Sequence, residues 1–259
     1  MLTHDQKFMI LTVQDICKRF GQQTVLQGVT LSVAERRTLS ILGRSGCGKT
    51  TLLKIIAGLV KPDSGAVRLH GTEMGQQLPE ARNVVYLYQE PLLFPHLTVF
   101  ENVAFGLRVR RASTSEIASR TGRMLEHLGM ESHAKKFPHQ LSGGQKQRVA
   151  FGRAIIITPN VLLLDEPFSS LDPETRATMQ QLFKQLAQEY GIASLFVTHD
   201  LKEAILMGDS IGYMADGTLT TFANRQEFIN HPDYGATKEM EFWSSLRQQT
   251  TTEEYAASI

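Results

Sequence analysis

The sequence has 259 residues, of which 42% are hydrophobic and 20% charged, with a formal net charge of +1. This composition is typical of a globular protein. A charge so close to neutral argues against nucleic acid as the main partner, because nucleic-acid-binding domains usually carry a clear basic excess. The two cysteines, Cys17 and Cys47, favour a reducing compartment over a disulfide framework.

The sequence also predicts a chain without a membrane span. Its first residues lack the charged, apolar and small-residue order of a signal peptide. Apolar runs such as 55–60 and 161–164 are far shorter than the roughly 20 residues that cross a bilayer. We therefore expect a soluble, intracellular protein that would need other chains to work at a membrane.

The predicted elements describe an α/β core that is interrupted by helices. β-Branched residues predict strands over 8–16 and 24–33, and an apolar strand over 38–43 runs into glycines before a helix over 49–59. Further strands are predicted over 65–71, 84–89, 161–167 and 193–200, and further helices over 98–109, 115–130, 144–156 and 173–191. The helices between about residues 91 and 157 therefore form an insertion in the core.

A phosphate-binding loop is predicted between the strand over 38–43 and the helix that follows it. Residues 43–51 read GRSGCGKTT, which fits the pattern G-x-x-x-x-G-K-[ST] in the required strand–helix context. Backbone N–H groups and the helix N-terminus would hold phosphates, with Lys49 reaching the β- and γ-phosphates and the Thr50 hydroxyl binding Mg²⁺. The alternative is a glycine-rich turn that contains Lys-Thr by chance. The predicted nucleotide-binding residues are Gly43, Ser45, Gly46, Cys47, Gly48, Lys49, Thr50 and Thr51.

Two carboxylates follow the apolar strand that begins at residue 161. Asp165 and Glu166 stand at its carboxyl end, where open α/β sheets place their ligands. Asp165 is expected to hold Mg²⁺ through its water shell, and Glu166 to act as general base on the attacking water. The alternative is that both side chains cap the turn at Pro167.

An ordered set of motifs identifies a family. In chain order the motifs are GRSGCGKTT at 43–51, YQEP at 88–91, LSGGQKQR at 141–148, VLLLDEP at 161–167, SSLD at 169–172 and VTHD at 197–200. This set, over about residues 8–220, resembles the ATP-binding subunit of ABC transporters. The resemblance implies an ATPase that uses ATP and Mg²⁺. It also implies an α/β fold, with a P-loop NTPase core, an N-terminal antiparallel β subdomain and a helical subdomain inserted in the core.

The resemblance explains why a second glycine-rich turn lies about a hundred residues after the phosphate loop. In that family two subunits pair head to tail, and LSGGQ contacts the γ-phosphate of ATP bound to the opposite subunit. By this resemblance Ser142, Gly143, Gly144 and Gln145 serve the nucleotide of the partner. Ser142 is also a candidate N-cap of the helix that follows, a role that is compatible with the first.

Four further residues correspond to functional positions of the family. Phe20 matches the aromatic residue that stacks on adenine, although a phenylalanine near a turn could instead fill the core. Gln89 matches the glutamine that senses Mg²⁺ and the attacking water, and it would touch the membrane subunit in a groove walled by residues 88–97. Asp172 matches the turn that links the two nucleotide sites. His199 matches the histidine that contacts the γ-phosphate, with a surface or capping role as its alternative.

The resemblance is strongest to bacterial importer ATPases, because residues 90–109 are similar to those serving polyamines, inorganic anions, iron and osmoprotectants. We expect one ATPase domain over 1–259, with a helical subdomain at about 91–157 inserted in the 8–220 core and a short helical tail over 221–259. Trp243 would pack this tail onto its own domain, or form a regulatory or dimer contact. At Gly152 the sequence departs from the family pattern, and a glycine within a helix costs up to about 1 kcal/mol relative to alanine.

The expected partners are a second ATPase subunit, in a homodimer, and separate transmembrane permease subunits, with a substrate-binding protein acting indirectly. The subunit would then be peripheral, on the cytoplasmic face of the membrane. The alternatives are a soluble ABC ATPase that acts on DNA or ribosomes, and the ATPase of an export or lipid-extraction complex. A regulator without hydrolysis is disfavoured by the presence of Glu166, Gln89 and His199. The transported substrate stays open, because the permease and its binding protein select it.

Overall fold

The computed structural model describes residues 9–231, which form two β-sheets and a set of helices. The strands are β1 (Met9–Phe20), β2 (Gln23–Ala34), β3 (Thr38–Gly43), β4 (Ser64–Leu69), β5 (Thr72–Glu73), β6 (Val84–Leu87), β7 (Val161–Asp165), β8 (Ala193–Thr198), β9 (Ser210–Ala215) and β10 (Thr218–Phe222). The α-helices are α1 (Lys49–Ile56), α2 (Val99–Val109), α3 (Thr114–Leu128), α4 (Gly143–Ile155), α5 (Pro173–Glu189), α6 (Leu201–Met207) and α7 (Arg225–Ile229). Short 3₁₀ turns occur at Pro79–Ala81, Glu131–His133 and Pro138–Gln140.

The first sheet is antiparallel, with the strand order β2-β1-β4-β5. Its long strands alternate between buried and exposed residues, as the buried Leu11 and Val13 on β1 and Leu31 and Val33 on β2 illustrate. This period of two places one face of the sheet against the core and the other toward water. The predicted N-terminal antiparallel β subdomain is therefore confirmed.

The second sheet has the order β10-β9-β3-β8-β7-β6, and its strands are parallel except for the hairpin of β9 and β10. Strands β3 and β8 are buried along their whole length, because both faces of this sheet are covered. In register, Leu42 pairs with Thr198 and Asp165 with Val197. The carboxyl ends of β3, β7 and β8 therefore meet at one edge, where open parallel sheets bind their ligands.

Helices α2, α3 and α4 lie between β6 and β7, two neighbouring strands of the second sheet. They form a helical subdomain inserted in the core, as the sequence predicts. Gly152, in the middle of α4, lies so close to α3 that a β-carbon there would be 2.5 Å from Leu128 Cδ1. This close contact between helices explains the glycine at a position where it weakens the isolated helix.

Arg82 binds the carboxyl end of helix α1. Its buried guanidinium donates hydrogen bonds to the carbonyl oxygens of Ile55 (3.1 Å) and Ile56 (2.9 Å) in the last turn of the helix, and the Ile55 carbonyl also accepts from the Gly58 N–H at 3.0 Å. Gly58 follows at φ 81°, and a β-carbon there would lie 2.6 Å from the guanidinium carbon. The helix predicted over 49–59 is therefore too long, since it ends at Ile56. Burial also lowers the pKa of Arg82 below its ordinary value.

The described part of the C-terminal tail contains α7, whose Phe228 is buried and packs edge-on against Phe222. Trp243, for which a packing role is predicted, lies outside the described residues. Within residues 9–231, every helix is too short or too polar to span a membrane.

Candidate functional site

The loop between β3 and α1 is built around glycines that no other residue could replace without strain. A β-carbon on Gly43 would lie 2.4 Å from the carbonyl oxygen of Met214. Gly48 has φ 110°, and a β-carbon there would lie 2.9 Å from the carbonyl oxygen of Val25. The loop is thus closely packed between β2 and β9.

Lys49 is buried at the first position of α1, with 5% of its side chain exposed. Its ammonium group donates hydrogen bonds to the carbonyl oxygens of Gly43 (2.6 Å) and Arg44 (3.0 Å) and lies 3.9 Å from Glu166 Oε1. A cavity of about 340 Å³ opens above the loop, and its lining residues are Val25, Ser45, Gly46, Gly48, Lys49, Thr50, Thr51 and Glu166. The structure therefore brings six of the eight predicted loop residues together with the predicted general base around one cavity, whose lining does not include Gly43 or Cys47.

Cys47 is the loop residue that turns inward. Its side chain packs with Val25 against the apolar core below the loop, and its N–H donates to the carbonyl oxygen of Arg44 at 3.3 Å. Its side chain is absent from the cavity lining. The predicted contact of Cys47 with a nucleotide stays a prediction.

The two predicted metal ligands lie side by side, Thr50 in the first turn of α1 and Asp165 at the end of β7. Thr50 Oγ1 donates a hydrogen bond to Asp165 Oδ1 at 3.1 Å, and the Tyr86 hydroxyl donates to Asp165 Oδ2 at 2.5 Å. Among residues 9–231, no group of three or more His, Cys, Asp and Glu side chains is arranged so that it could hold a metal ion by itself. Mg²⁺ typically takes one or two protein oxygens together with phosphates and water. The pair of Thr50 and Asp165 therefore fits Mg²⁺ that is bound with a nucleotide.

Tyr86 was not identified from the sequence, because its strand reads simply as buried β structure. Burial, the hydrogen bond to Asp165 and the charge of that carboxylate together raise the pKa of Tyr86 above its ordinary value. The hydroxyl therefore remains a donor toward the carboxylate that faces Thr50.

Glu166 is held between Lys49 and His199. Its Oε2 lies 2.8 Å from His199 Nδ1, and 18% of its side chain is exposed. Because an ionised carboxylate accepts hydrogen bonds and does not donate them, His199 must donate from Nδ1. Glu166 also has φ 46°, a left-handed backbone conformation that costs about 1–3 kcal/mol in residues other than glycine. Seven other non-glycine residues in the described part of the chain also have a positive φ, so the predicted catalytic role of Glu166 rests on its contacts and stays a prediction.

Gln89 is connected to the segment that follows Glu166. Its Nε2 donates a hydrogen bond to Ser169 Oγ at 3.0 Å, and that hydroxyl donates to the carbonyl oxygen of Glu166, also at 3.0 Å. Gln89 is itself exposed. The structure therefore connects it to the predicted general base, while its predicted contacts with Mg²⁺ and with a membrane subunit stay predictions.

Phe20 lies at the end of β1 with 51% of its surface exposed, and the Lys18 ammonium group is 5.3 Å from its ring centroid. The alternative that this phenylalanine fills the core is therefore wrong. An exposed ring is available for stacking, as the adenine-binding prediction requires.

The turn at Ser142–Gln145 begins helix α4 with a capping box. Ser142 Oγ accepts from the Gln145 N–H at 3.3 Å, and Gln145 Oε1 accepts from the Ser142 N–H at 3.0 Å. The remaining amide nitrogen of Gln145 lies 3.1 Å from His133 Nε2, a contact that sequence reasoning missed. The predicted N-cap role of Ser142 is confirmed, and the Gln145 side chain is used within its own chain.

The two glycines of this turn differ in their surroundings. A β-carbon on Gly144 would lie 2.6 Å from Thr175 Cγ2 on α5, whereas one on Gly143 would meet nothing within 4 Å. Within residues 9–231, no hydrogen bond or ion pair joins the turn to the phosphate loop of the same chain. Packing inside this chain therefore explains Gly144 and leaves Gly143 without a structural reason.

Asp172 is the N-cap of α5, and its Oδ1 accepts a hydrogen bond from the Thr175 N–H at 3.0 Å. Hydrogen bonds from Thr175 hold the pKa of this carboxyl below its ordinary value. Its predicted role in linking two nucleotide sites stays a prediction. Thr175 does contact the turn at Gly144, which connects α5 to α4.

An apolar groove lies between β6 and α2, near the Thr50 and Asp165 side chains. Its volume is about 510 Å³, and the exposed apolar side chains that line it are Tyr88, Leu92, Phe105 and Val109. Arg153 also lines this groove, with its guanidinium carbon 5.1 Å from the Phe94 ring centroid, and burial lowers its pKa. Part of the segment at 88–97 thus lies in a groove wall, as the sequence predicts.

Comparison with known proteins identifies the family. The sequence model described as ABC transporter matches residues 26–169, which is more than half of the chain. The chain therefore belongs to the ABC transporter family. This assignment agrees with the α/β fold, the phosphate loop and the strand-end carboxylates described above.

Curated ABC relatives share this sequence over most of its length. The spermidine/putrescine import ATP-binding protein PotA of Nitratidesulfovibrio vulgaris is 44% identical over 88% of this chain and 62% of that relative. The sulfate/thiosulfate import ATP-binding protein CysA of Pectobacterium atrosepticum is 42% identical over 86% of this chain and 69% of that relative. The chain thus spans about 60–70% of the length of the curated relatives it matches.

A solved structure shows the same ABC fold. CbiO1 from Clostridium perfringens, part of the ABC transporter complex CbiONQ, matches with a TM-score of 0.79 and 28% sequence identity. The match covers 86% of this chain and 92% of that chain. The predicted fold class is therefore confirmed.

Proposed function

We propose that this chain binds and hydrolyses MgATP as the ATP-binding subunit of an ABC importer, at the cytoplasmic face of a membrane. The observation that carries the proposal is the position of the Glu166 carboxylate between Lys49 and His199, at the cavity above the phosphate loop. A base, a phosphate-binding ammonium group and a second donor thus converge where the γ-phosphate of a nucleotide would end. The relatives described above are import subunits by name, which favours import over export.

Each residue of the site has a separate role in this reaction. The loop backbone and Lys49 hold the phosphates, and Thr50 and Asp165 hold Mg²⁺, which neutralises charge on the phosphate oxygens. Glu166 orients the attacking water and accepts its proton through the carboxylate. His199 donates to Glu166 from Nδ1, which leaves Nε2 available for the γ-phosphate. Nε2 can donate to a phosphate oxygen only when the imidazole carries a proton on both nitrogens.

The site is completed by a second copy of the chain, paired head to tail. Ser142 and Gly143 are exposed at the N-terminus of a 13-residue helix, and this position favours an anion. The open space at Gly143 supports the proposal, because a phosphate from another chain could approach the backbone there. Ser142, Gly143 and Gly144 would then serve the nucleotide held by Lys49 of the partner.

The two glycines provide a matched test of this pairing. Gly144→Ala should lower the melting temperature, because the new β-carbon would overlap Thr175 Cγ2. Gly143→Ala should leave the melting temperature unchanged or raised, yet reduce ATP turnover by roughly tenfold or more, because its methyl group would stand between the helix and the phosphate of the partner. Thermal unfolding and steady-state ATPase assays check both. Full turnover in Gly143→Ala would contradict a nucleotide contact at this turn.

The apolar groove is the proposed docking site for a permease subunit. Its exposed apolar side chains form a continuous surface of the kind that receives an amphipathic helix. Relatives named for polyamine, sulfate and iron import match this chain at similar identities of 38–44%. The residues of this chain therefore do not identify the transported substrate, which the permease and its binding protein would select.

The docking role is tested by Val109→Asp, with Leu206→Asp as its control. Both side chains are exposed, by 66% and 44%, but only Val109 lies in the groove lining. Tagged full-length protein would be purified from detergent-solubilised membranes of the native host, and its co-purifying membrane subunits identified and quantified by mass spectrometry. We expect Val109→Asp to lose the permease by about tenfold or more, and Leu206→Asp to retain it. Equal recovery with both variants would contradict the groove as the docking site.

A further inference from the structure

Tyr86 contacts Asp165, one of the two proposed metal ligands, and also lies at the apolar groove. Its hydroxyl donates to Asp165 Oδ2 at 2.5 Å, and Tyr86 is also one of the residues that line the groove. The ring meets Tyr88 in an edge-to-face contact with centroids 4.4 Å apart, and Tyr88 is 40% exposed in the same groove. One side chain thus connects the carboxylate at the end of β7 with the groove wall.

The hydrogen bond from Tyr86 divides the two oxygens of Asp165 between different tasks. Oδ2 accepts from Tyr86, while Oδ1 faces the Thr50 hydroxyl at 3.1 Å. A carboxylate that is fixed at one oxygen can no longer rotate freely about its terminal bond, so its other oxygen keeps its direction. Groups that hold a metal ligand in this way typically change metal affinity by 10- to 100-fold when they are removed.

We propose that Tyr86 is a positioning residue for Mg²⁺, which holds Asp165 so that Oδ1 and the Thr50 hydroxyl face the metal together. This inference rests on the proposed function, because it takes Thr50 and Asp165 as the metal ligands. A phenylalanine would fill the same space in the sheet but would leave Asp165 Oδ2 without its donor. The hydroxyl group, and not the ring, therefore carries the effect.

The experiment compares Tyr86→Phe with Tyr88→Phe in the full-length protein. The two rings contact each other, and each variant loses one hydroxyl. The Tyr86 hydroxyl donates to Asp165, whereas the Tyr88 hydroxyl makes no hydrogen bond within residues 9–231. Mn²⁺ serves as the probe: its binding is measured by electron paramagnetic resonance in the presence of a non-hydrolysable ATP analogue. Binding of the same analogue without metal is measured separately and reports on the folded phosphate loop.

We expect Tyr86→Phe to raise the half-saturating Mn²⁺ concentration about tenfold or more, with metal-free binding of the analogue unchanged. Tyr88→Phe should bind Mn²⁺ like the unmodified protein. A Tyr86→Phe protein with unchanged Mn²⁺ affinity would overturn the positioning role and leave the proposed function intact. An equal loss of metal-free and Mn²⁺-dependent binding would also overturn it, because the effect would then be structural. Absence of nucleotide-dependent Mn²⁺ binding in the unmodified protein would overturn the proposed function together with this inference.

Discussion

Replacing Glu166 with glutamine should reduce ATP turnover by about 10²- to 10⁴-fold while MgATP binding is retained. The amide has nearly the shape of the carboxylate and can still accept a hydrogen bond from His199 Nδ1, which lies 2.8 Å from Glu166 Oε2. It cannot accept the proton of the attacking water, because an amide oxygen is far less basic than a carboxylate. The measurements are steady-state phosphate release and equilibrium binding of a fluorescent ATP analogue with Mg²⁺.

The matched control for this variant is Glu174→Gln. Glu174 is an exposed acid in the first turn of α5, so its substitution removes the same charge from the protein surface. We expect Glu174→Gln to keep the turnover of the unmodified protein. Turnover in Glu166→Gln within a few-fold of that value would mean that another group accepts the proton.

Replacing Ser142 with arginine should reduce turnover by about 10²-fold or more, although this side chain lies outside the cavity of its own phosphate loop. The long cationic side chain would fill the space in which the partner's phosphate approaches the start of α4. Nucleotide binding to the chain's own loop should persist, because no described hydrogen bond or ion pair joins Ser142 to that loop. Steady-state turnover and nucleotide titrations separate these two effects.

Loss of the helix cap must be distinguished from loss of the partner contact. Ser113 is also an exposed N-cap, and its Oγ accepts from the Glu116 N–H at 3.2 Å, as Ser142 Oγ does from Gln145. Ser113→Arg should therefore cost a similar 0.5–2 kcal/mol of stability without reducing turnover. Equal losses of turnover in Ser142→Arg and Ser113→Arg would show that capping alone explains the effect.

Much of the site could be predicted from the sequence because its parts are local. The phosphate loop depends on the spacing of Gly43, Gly48 and Lys49 between a strand and a helix, which the sequence displays directly. Asp165 and Glu166 follow an all-apolar strand, and strands buried on both faces end at the ligand-binding edge of the sheet. The sequence did not predict the contact between His199 and Glu166, which the structure makes possible because β7 and β8 are neighbouring strands.

The residues that were missed act through contacts between distant parts of the chain. Arg82 donates to the carbonyl oxygen of Ile56 in α1 from 26 positions away, and Tyr86 reaches Asp165 from the neighbouring strand, 79 positions away. His133 contacts Gln145 from a 3₁₀ turn before the helix. Local patterns describe each of these side chains as ordinary strand or turn residues, so only the packed fold assigns them a partner.

The backbone conformation of Glu166 was also beyond sequence reasoning. A glutamate at φ 46° contradicts local preference, and the fold imposes it where β7 ends and the N–H of Glu166 donates to the carbonyl oxygen of Val197 at 3.1 Å. Thr158 has the same φ, so the conformation is not confined to the site, but at Glu166 it occurs at the proposed general base.

In the proposed dimer, each nucleotide is held by Lys49 of one chain and Ser142 of another. The most direct test of this shared site is the molecular mass in solution with MgATP, measured by size-exclusion chromatography with light scattering. Because Glu166→Gln binds ATP without turnover, it should form a dimer, and adding Ser113→Arg should leave that dimer intact. Adding Ser142→Arg to Glu166→Gln should return a monomer. A dimer of the Glu166→Gln, Ser142→Arg double variant with MgATP would contradict the shared site.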